Sequence, residues 1–147
     1  MEQLGALKET VACATRDVPL LGICLGMQML LETSEEYGIH AGLGLIPGKV
    51  VRFPGGCGQK VPHMGWNSLS VSLPENPLFE GFGKDEYVYF VHSYYADTVP
   101  EYTLTTTDYI CPFASSVGRD TTFGVQFHPE KSGAIGLRLL KNFIEMV

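Results

Sequence analysis

Apolar residues recur at helical spacing at both ends of the chain. Near the start, Leu4, Leu7, Val11 and Ala14 fall three to four residues apart, predicting an amphipathic helix from Gln3 to Ala14 that Arg16-Asp17 ends. At the other end, Ile135, Leu139, Leu140, Phe143 and Ile144 mark the core face of a helix over 133–147. Between them the period shortens to two. Val18 to Ile23 is apolar throughout, the pattern of a strand covered on both faces. Val50, Val51 and Phe53 predict a second strand, 61–73 a strand-turn-strand, and 87–92, 95–98, 102–107 and 113–117 four more, with a turn of helix at Leu78-Phe79. After Val18–Ile23, Met27, Leu30 and Leu31 predict a helix with Glu32, Glu35 and Glu36 on its wet face and Gly38 as its cap. No repeat, low-complexity tract or internal boundary interrupts 1–147, so the pattern predicts one domain.

The junction of the apolar strand and that helix carries the candidate chemistry. Gly22-Ile-Cys24-Leu-Gly26 has the pattern of a nucleophile elbow, a sharp strand-to-helix turn that presents Cys24. Gly22 and Gly26 predict close backbone approach, and a helix N-terminus predicts a lowered thiol pKa. A base is available late in the chain, where the run 122–127 ends at His128-Pro129-Glu130. Imidazole and carboxylate at one strand end supply the base and the group that orients it.

Charge and cysteine usage exclude several functions. A net charge of −6 argues against nucleic acid as a partner. No apolar run approaches the roughly 20 residues of a membrane span, and Met1-Glu2-Gln3 opens no signal peptide, which predicts a cytoplasmic protein. Cys13, Cys24, Cys57 and Cys111 have neither disulfide-framework nor zinc spacing, so no metal is expected. Gly42, Gly44 and Gly48 fail as a dinucleotide fingerprint because Pro47 interrupts it, and Gly48-Lys49-Val50 lacks the Ser or Thr of a phosphate loop. Trp66, the only tryptophan, is equally consistent with the core and with an interface.

Gly22-Ile-Cys-Leu-Gly-Met-Gln28 together with Phe127-His-Pro-Glu130 resembles the triad-type (class I) glutamine amidotransferases. Met27, Lys60-Val-Pro-His-Met-Gly-Trp-Asn67, Val91-His-Ser-Tyr-Tyr95 and Lys131 look like the branch formed by the glutaminase subunits of imidazole glycerol phosphate synthases. The resemblance implies an α/β fold, a three-layer doubly wound mixed sheet, here lacking the usual N-terminal strand, helix, strand and oxyanion loop. It implies glutamine hydrolysis by Cys24, His128 and Glu130 without a cofactor, the Leu25 amide stabilising the oxyanion. Gly22, Gln28, Ser93 and Tyr94 are expected to bind L-glutamine. Trp66, Asn67 and Lys131 are expected to meet a (β/α)₈-barrel cyclase, which receives the ammonia in a heterodimer of histidine biosynthesis. Two alternatives stand beside this: an amidotransferase for another acceptor, and a partner-binding module without turnover. His63 and His92 carry structural or surface expectations, although the resemblance puts His63 in a segment near the partner surface.

Overall fold

The computed structural model describes residues 2–147. Its helices are α1 (Glu2–Ala14), α2 (Leu25–Met29) and α3 (Gly133–Met146). Its strands are β1 (Leu20–Ile23), β2 (Thr33–Ser34), β3 (His40–Ala41), β4 (Lys49–Arg52), β5 (His63–Val71), β6 (Glu86–His92), β7 (Tyr94–Asp97), β8 (Thr103–Tyr109), β9 (Cys111–Arg119) and β10 (Thr122–Val125). Among the described residues these ten strands form one mixed sheet in the order β3-β2-β4-β7-β9-β8-β5-β6, with β10 beside β9 and β1 beside β10. The β1–β10 and β2–β4 pairs are parallel. Among the described residues, no helix is long and apolar enough to cross a membrane.

Each face of the sheet has its own core, which makes three layers. On the α3 side, Phe90, Phe123, Val125 and Phe127 pack with Leu139. On the α2 side, Met27, Leu30, Leu31, Ile46 and Val50 pack together, with Val11 of α1 against them. Period-two alternation distributes β10 between the two: Phe123 and Val125 enter the first core, whereas a side chain at Gly124 would run into Met27 of the second.

Five sequence expectations need correction. Leu30 and Leu31 are buried as expected, yet α2 stops at Met29. Its last carbonyls are taken by a distant segment: Leu43 N donates to Met29 O, Leu45 N and Ile46 N to Leu30 O, and Gly44 N to Leu31 O. Tertiary hydrogen bonds replace the next helical turn, and Gly38, with φ +103°, turns the chain between β2 and β3 instead of capping a helix. The region 61–73 holds one strand, not two, because β5 pairs with β6 from His63 to Leu69 and then crosses to β8.

Helix α1 is less buried than its pattern predicts: Leu7 and Ala14 are exposed and Val11 is half-buried, while the side chain of Leu4 lies outside the described residues. β1 pairs with β10 alone among the described residues, so little sheet surface lies beyond it for α1 to cover. On α3, Leu139 is sealed and Ile135, Leu140 and Phe143 are half-buried, but Ile144 is exposed. Buried Asn142 contributes there instead, donating to Leu78 O at 3.0 Å and Glu80 O at 2.8 Å.

Candidate active site

Parallel pairing of β1 and β10 brings their carboxyl ends to one edge, the usual place for a site in an open α/β sheet. Cys24 N donates to Val125 O at 2.8 Å, and the residue has φ 53° and ψ −108°, a strained conformation for a non-glycine. Strain of this kind costs on the order of 1–3 kcal/mol and clusters at functional positions. The two flanking glycines do different work. A Cβ at Gly22 would lie 2.6 Å from the backbone C and O of Gly26, whereas one at Gly26 would meet nothing within 4 Å. The expected close approach therefore rests on Gly22 alone.

His128 and Glu130 meet directly, with Nδ1 2.6 Å from Oε1. The short 3₁₀ turn that holds them is clamped from two sides. His128 N donates to Tyr89 O at 3.0 Å, Ser132 Oγ donates to His128 O at 2.6 Å, and Tyr89 N donates to Ser132 Oγ at 3.0 Å. Behind it, Gly136 lets α3 come so close that a Cβ there would lie 1.9 Å from Pro129 O. Partial burial opposes ionisation of Glu130, but the His128 hydrogen bond and nearby donors outweigh it and hold the carboxyl below its ordinary range. With Nδ1 committed to the carboxylate, Nε2 is the ring atom left to exchange a proton.

The Cys24 sulfur lies 3.9 Å from Val91 O and 3.7 Å from Gln126 Nε2, and makes no hydrogen bond to His128. Burial is the main influence on the thiol and pushes its pKa up, with Glu130 and Glu36 adding to this while the Leu25 amide and Gln126 work against it. The net shift is upward, correcting the expectation of a lowered value. A five-residue α2 has little dipole to offer, and desolvation of the anion prevails. At neutral pH the sulfur is a thiol that needs a base.

Gln126, absent from the sequence expectations, is fully buried and is the polar interruption of the run Phe123 to Phe127. Its Oε1 accepts from Gln28 Nε2 at 3.1 Å. Gln28 Nε2 also donates to Tyr94 O at 3.1 Å, and that carbonyl accepts a second bond from His92 Nδ1 at 2.8 Å. Ser93 O accepts from Phe53 N at 3.1 Å. Gln28 and Tyr94 thus join Gln126 in a network that reaches Cys24, while Ser93 is held from the other side by its bond to Phe53.

Behind Tyr94, His92 Nε2 lies 3.0 Å from His63 Nδ1. Both rings are buried within an aromatic cage, His63 stacking on Tyr109 and Phe90, with Phe53 and Phe113 at its edges. Burial lowers each pKa to about 4. An unfolded chain binds protons on these rings below about 6.5, the folded chain only near 4, so stability is complete above 6.5 and declines as pH falls toward 4. The pair should cost the fold on the order of 3 kcal/mol by pH 5. Urea midpoints at pH 7.5 and 5.0 measure this, and the drop should be clearly smaller in His92→Gln.

Away from these groups, β5 and β6 present an exposed patch of Met64, Trp66 and Tyr87. Trp66, 56% exposed, is a surface residue packed edge-on against Tyr89 at 6.1 Å, and Lys131 Nζ lies 6.0 Å from the same ring. Asn67 turns the other way along β5, donating to Asp108 O at 2.9 Å and lying 3.3 Å from His63 Nε2. A cavity of about 420 Å³ between α1 and the β9–β10 turn lies at the opposite end of β1 and contains none of these groups.

The family description "Glutamine amidotransferase class-I" matches residues 2–147. The imidazole glycerol phosphate synthase subunit HisH of Lacticaseibacillus casei is 57% identical over 92% of this chain and 64% of its own length, so the chain spans somewhat less than two thirds of that relative. The subunit of the same name from Archaeoglobus fulgidus is 48% identical over all of this chain and 73% of its own. A glutamine amidotransferase structure from Thermotoga maritima is 25% identical with a TM-score of 0.61, covering 96% of this chain and 50% of that one. With an elbow cysteine, a clamped His-Glu pair and a sequence match along nearly the whole chain, the chain belongs to the class-I glutamine amidotransferase family.

Proposed function

We propose that the chain is the glutaminase part of an imidazole glycerol phosphate synthase, hydrolysing L-glutamine and passing ammonia to a cyclase. The observation that carries this is Cys24 on its strained elbow at the strand edge where His128 and Glu130 are clamped as a pair. Cys24 attacks the side-chain amide carbon of glutamine while His128 Nε2 takes the thiol proton, a step the raised thiol pKa makes necessary. Glu130 holds the ring by Nδ1 and stabilises the imidazolium. The Leu25 amide, already beside the sulfur, stabilises the oxyanion. The imidazolium gives its proton to the departing ammonia, and water attacking the thioester, with His128 again as base, releases glutamate and restores the thiol.

Free ammonia becomes ammonium in water, so hydrolysis is useful only beside a second active site. The Met64, Trp66 and Tyr87 patch, with Lys131 at its rim, is the surface for a (β/α)₈-barrel cyclase, as the names of the HisH relatives suggest. Asn67 lies beneath it, with its amide on the inner side of β5.

The test is labelling with the glutamine-analogue chloroketone L-2-amino-4-oxo-5-chloropentanoic acid, combined with co-purification of a barrel cyclase. Stoichiometric modification at Cys24, lost in Cys24→Ala, together with a complex that fails to form with Trp66→Ala, is the expected result. A chain that binds the cyclase but stays unlabelled is a partner-binding module instead.

A further inference from the structure

The hydrogen bonds around Tyr94 leave little freedom in how protons and amides are arranged. A carbonyl only accepts, so Tyr94 O receives a proton from His92 Nδ1, and His92 Nε2 becomes an acceptor. His63 must then donate from Nδ1, leaving its Nε2 to accept from the amide of Asn67. On the other side, Tyr94 O receives Gln28 Nε2, which also donates to Gln126 Oε1, and Gln126 Nε2 is left to face the Cys24 sulfur. One arrangement therefore satisfies the whole line from Asn67 to Cys24. Both lone pairs of Tyr94 O are consumed by it. The oxygen of Gln28 has no protein partner and is not sealed from solvent, since no buried side-chain oxygen or nitrogen among the described residues lacks a partner.

We propose that His92, braced by His63, is a positioning residue for the glutamine pocket: it holds the Tyr94 carbonyl so that Gln28 presents its side-chain oxygen to the α-ammonium group of the substrate. Without the imidazole, the Tyr94 carbonyl would lose the bond that fixes its position, and the Gln28 amide that donates to it would no longer be held where its oxygen meets the ammonium. The cage of Phe53, Phe90, Phe113 and Tyr109 keeps both rings in place and dry. This inference rests on the proposed glutaminase function, and its test separates the two.

In the 147-residue chain, long-range ¹H–¹⁵N spectra at pH 7.5 should show His63 and His92 both neutral with the proton on Nδ1, the minor tautomer of free histidine. The His92→Phe variant, which fills the cage without a donor, should raise the half-saturating concentration of the chloroketone about tenfold, as for loss of a buried hydrogen bond to a charge. Its alkylation by iodoacetamide, which does not use the pocket, should stay within about twofold. With 4-oxo-5-chloropentanoic acid, which lacks the ammonium, wild type and His92→Phe should saturate alike. His63→Phe carries the same expectation at about threefold, and decides the matter if His92→Phe does not fold.

A proton on Nε2 of either ring, equal chloroketone saturation in folded variants, or an equal loss with and without the ammonium overturns the inference and leaves the glutaminase reading intact. A wild-type chain that is not saturably labelled at Cys24 overturns the glutaminase reading, and the positioning role with it.

Discussion

Glutamine turnover by the His128→Ala variant, measured with the cyclase bound, is expected to fall by about 10²–10⁴-fold at pH 7.5. The size of the loss follows from the state of the sulfur. Burial raises the Cys24 pKa, and the Leu25 amide and Gln126 do not cancel it, so no standing thiolate is available to attack without a base. A second readout isolates the proton-transfer role. Iodoacetamide alkylation of Cys24 in the variant should follow hydroxide concentration, rising roughly tenfold per pH unit until it levels off above the ordinary thiol range. Glu130→Gln should lose less, because the ring remains and only its orientation and the imidazolium's counter-charge are weakened. Full turnover in His128→Ala at pH 7.5 would refute His128 as the base.

Gly22→Ala is expected to cost the fold about 3 kcal/mol or more, or to leave no folded protein. The added carbon would sit 2.6 Å from the backbone of Gly26 and 2.8 Å from Met27 N. Those atoms belong to the first turn of α2 and cannot rotate away like a side chain. Relief requires that α2 lift from β1, which would open the second core around Met27 and release Cys24 from its φ of 53°. Gly26→Ala, three residues after Ile23 and inside the same motif, should be neutral or stabilising by up to about 1 kcal/mol, since open space surrounds it and alanine favours a helix. Urea midpoints of the two variants measured side by side check this. Equal destabilisation would mean that the elbow is not packed as described.

The contrast between these glycines illustrates where sequence reasoning stops. Gly-x-Cys-x-Gly is enough to propose an elbow, but spacing treats its two glycines alike, and only the path of α2 over β1 shows which one is crowded. The thiol is a similar case. A cysteine at a helix start predicts an acidic thiol, yet the sign of the shift depends on how much protein surrounds the sulfur and how short the helix is, and both are set by distant chain.

The chain alone singled out the candidate residues of the chemistry and most of the strands, because period-two alternation, the glycine-flanked cysteine and the His-Pro-Glu turn are local signals. The mixed α/β class followed from the family resemblance that those motifs carry. Long-range contacts decided the rest. Carbonyls at the end of α2 were claimed by residues 43–46, so a helix that sequence extends past Met29 stops there. β5 found partners along its whole length, which removed a turn, and among the described residues β1 gained a single neighbour, which left Leu7 of α1 exposed. The buried line through Gln126, Gln28, Tyr94, His92 and His63 joins residues up to 98 positions apart in consecutive contacts, and no local pattern encodes which of them touch.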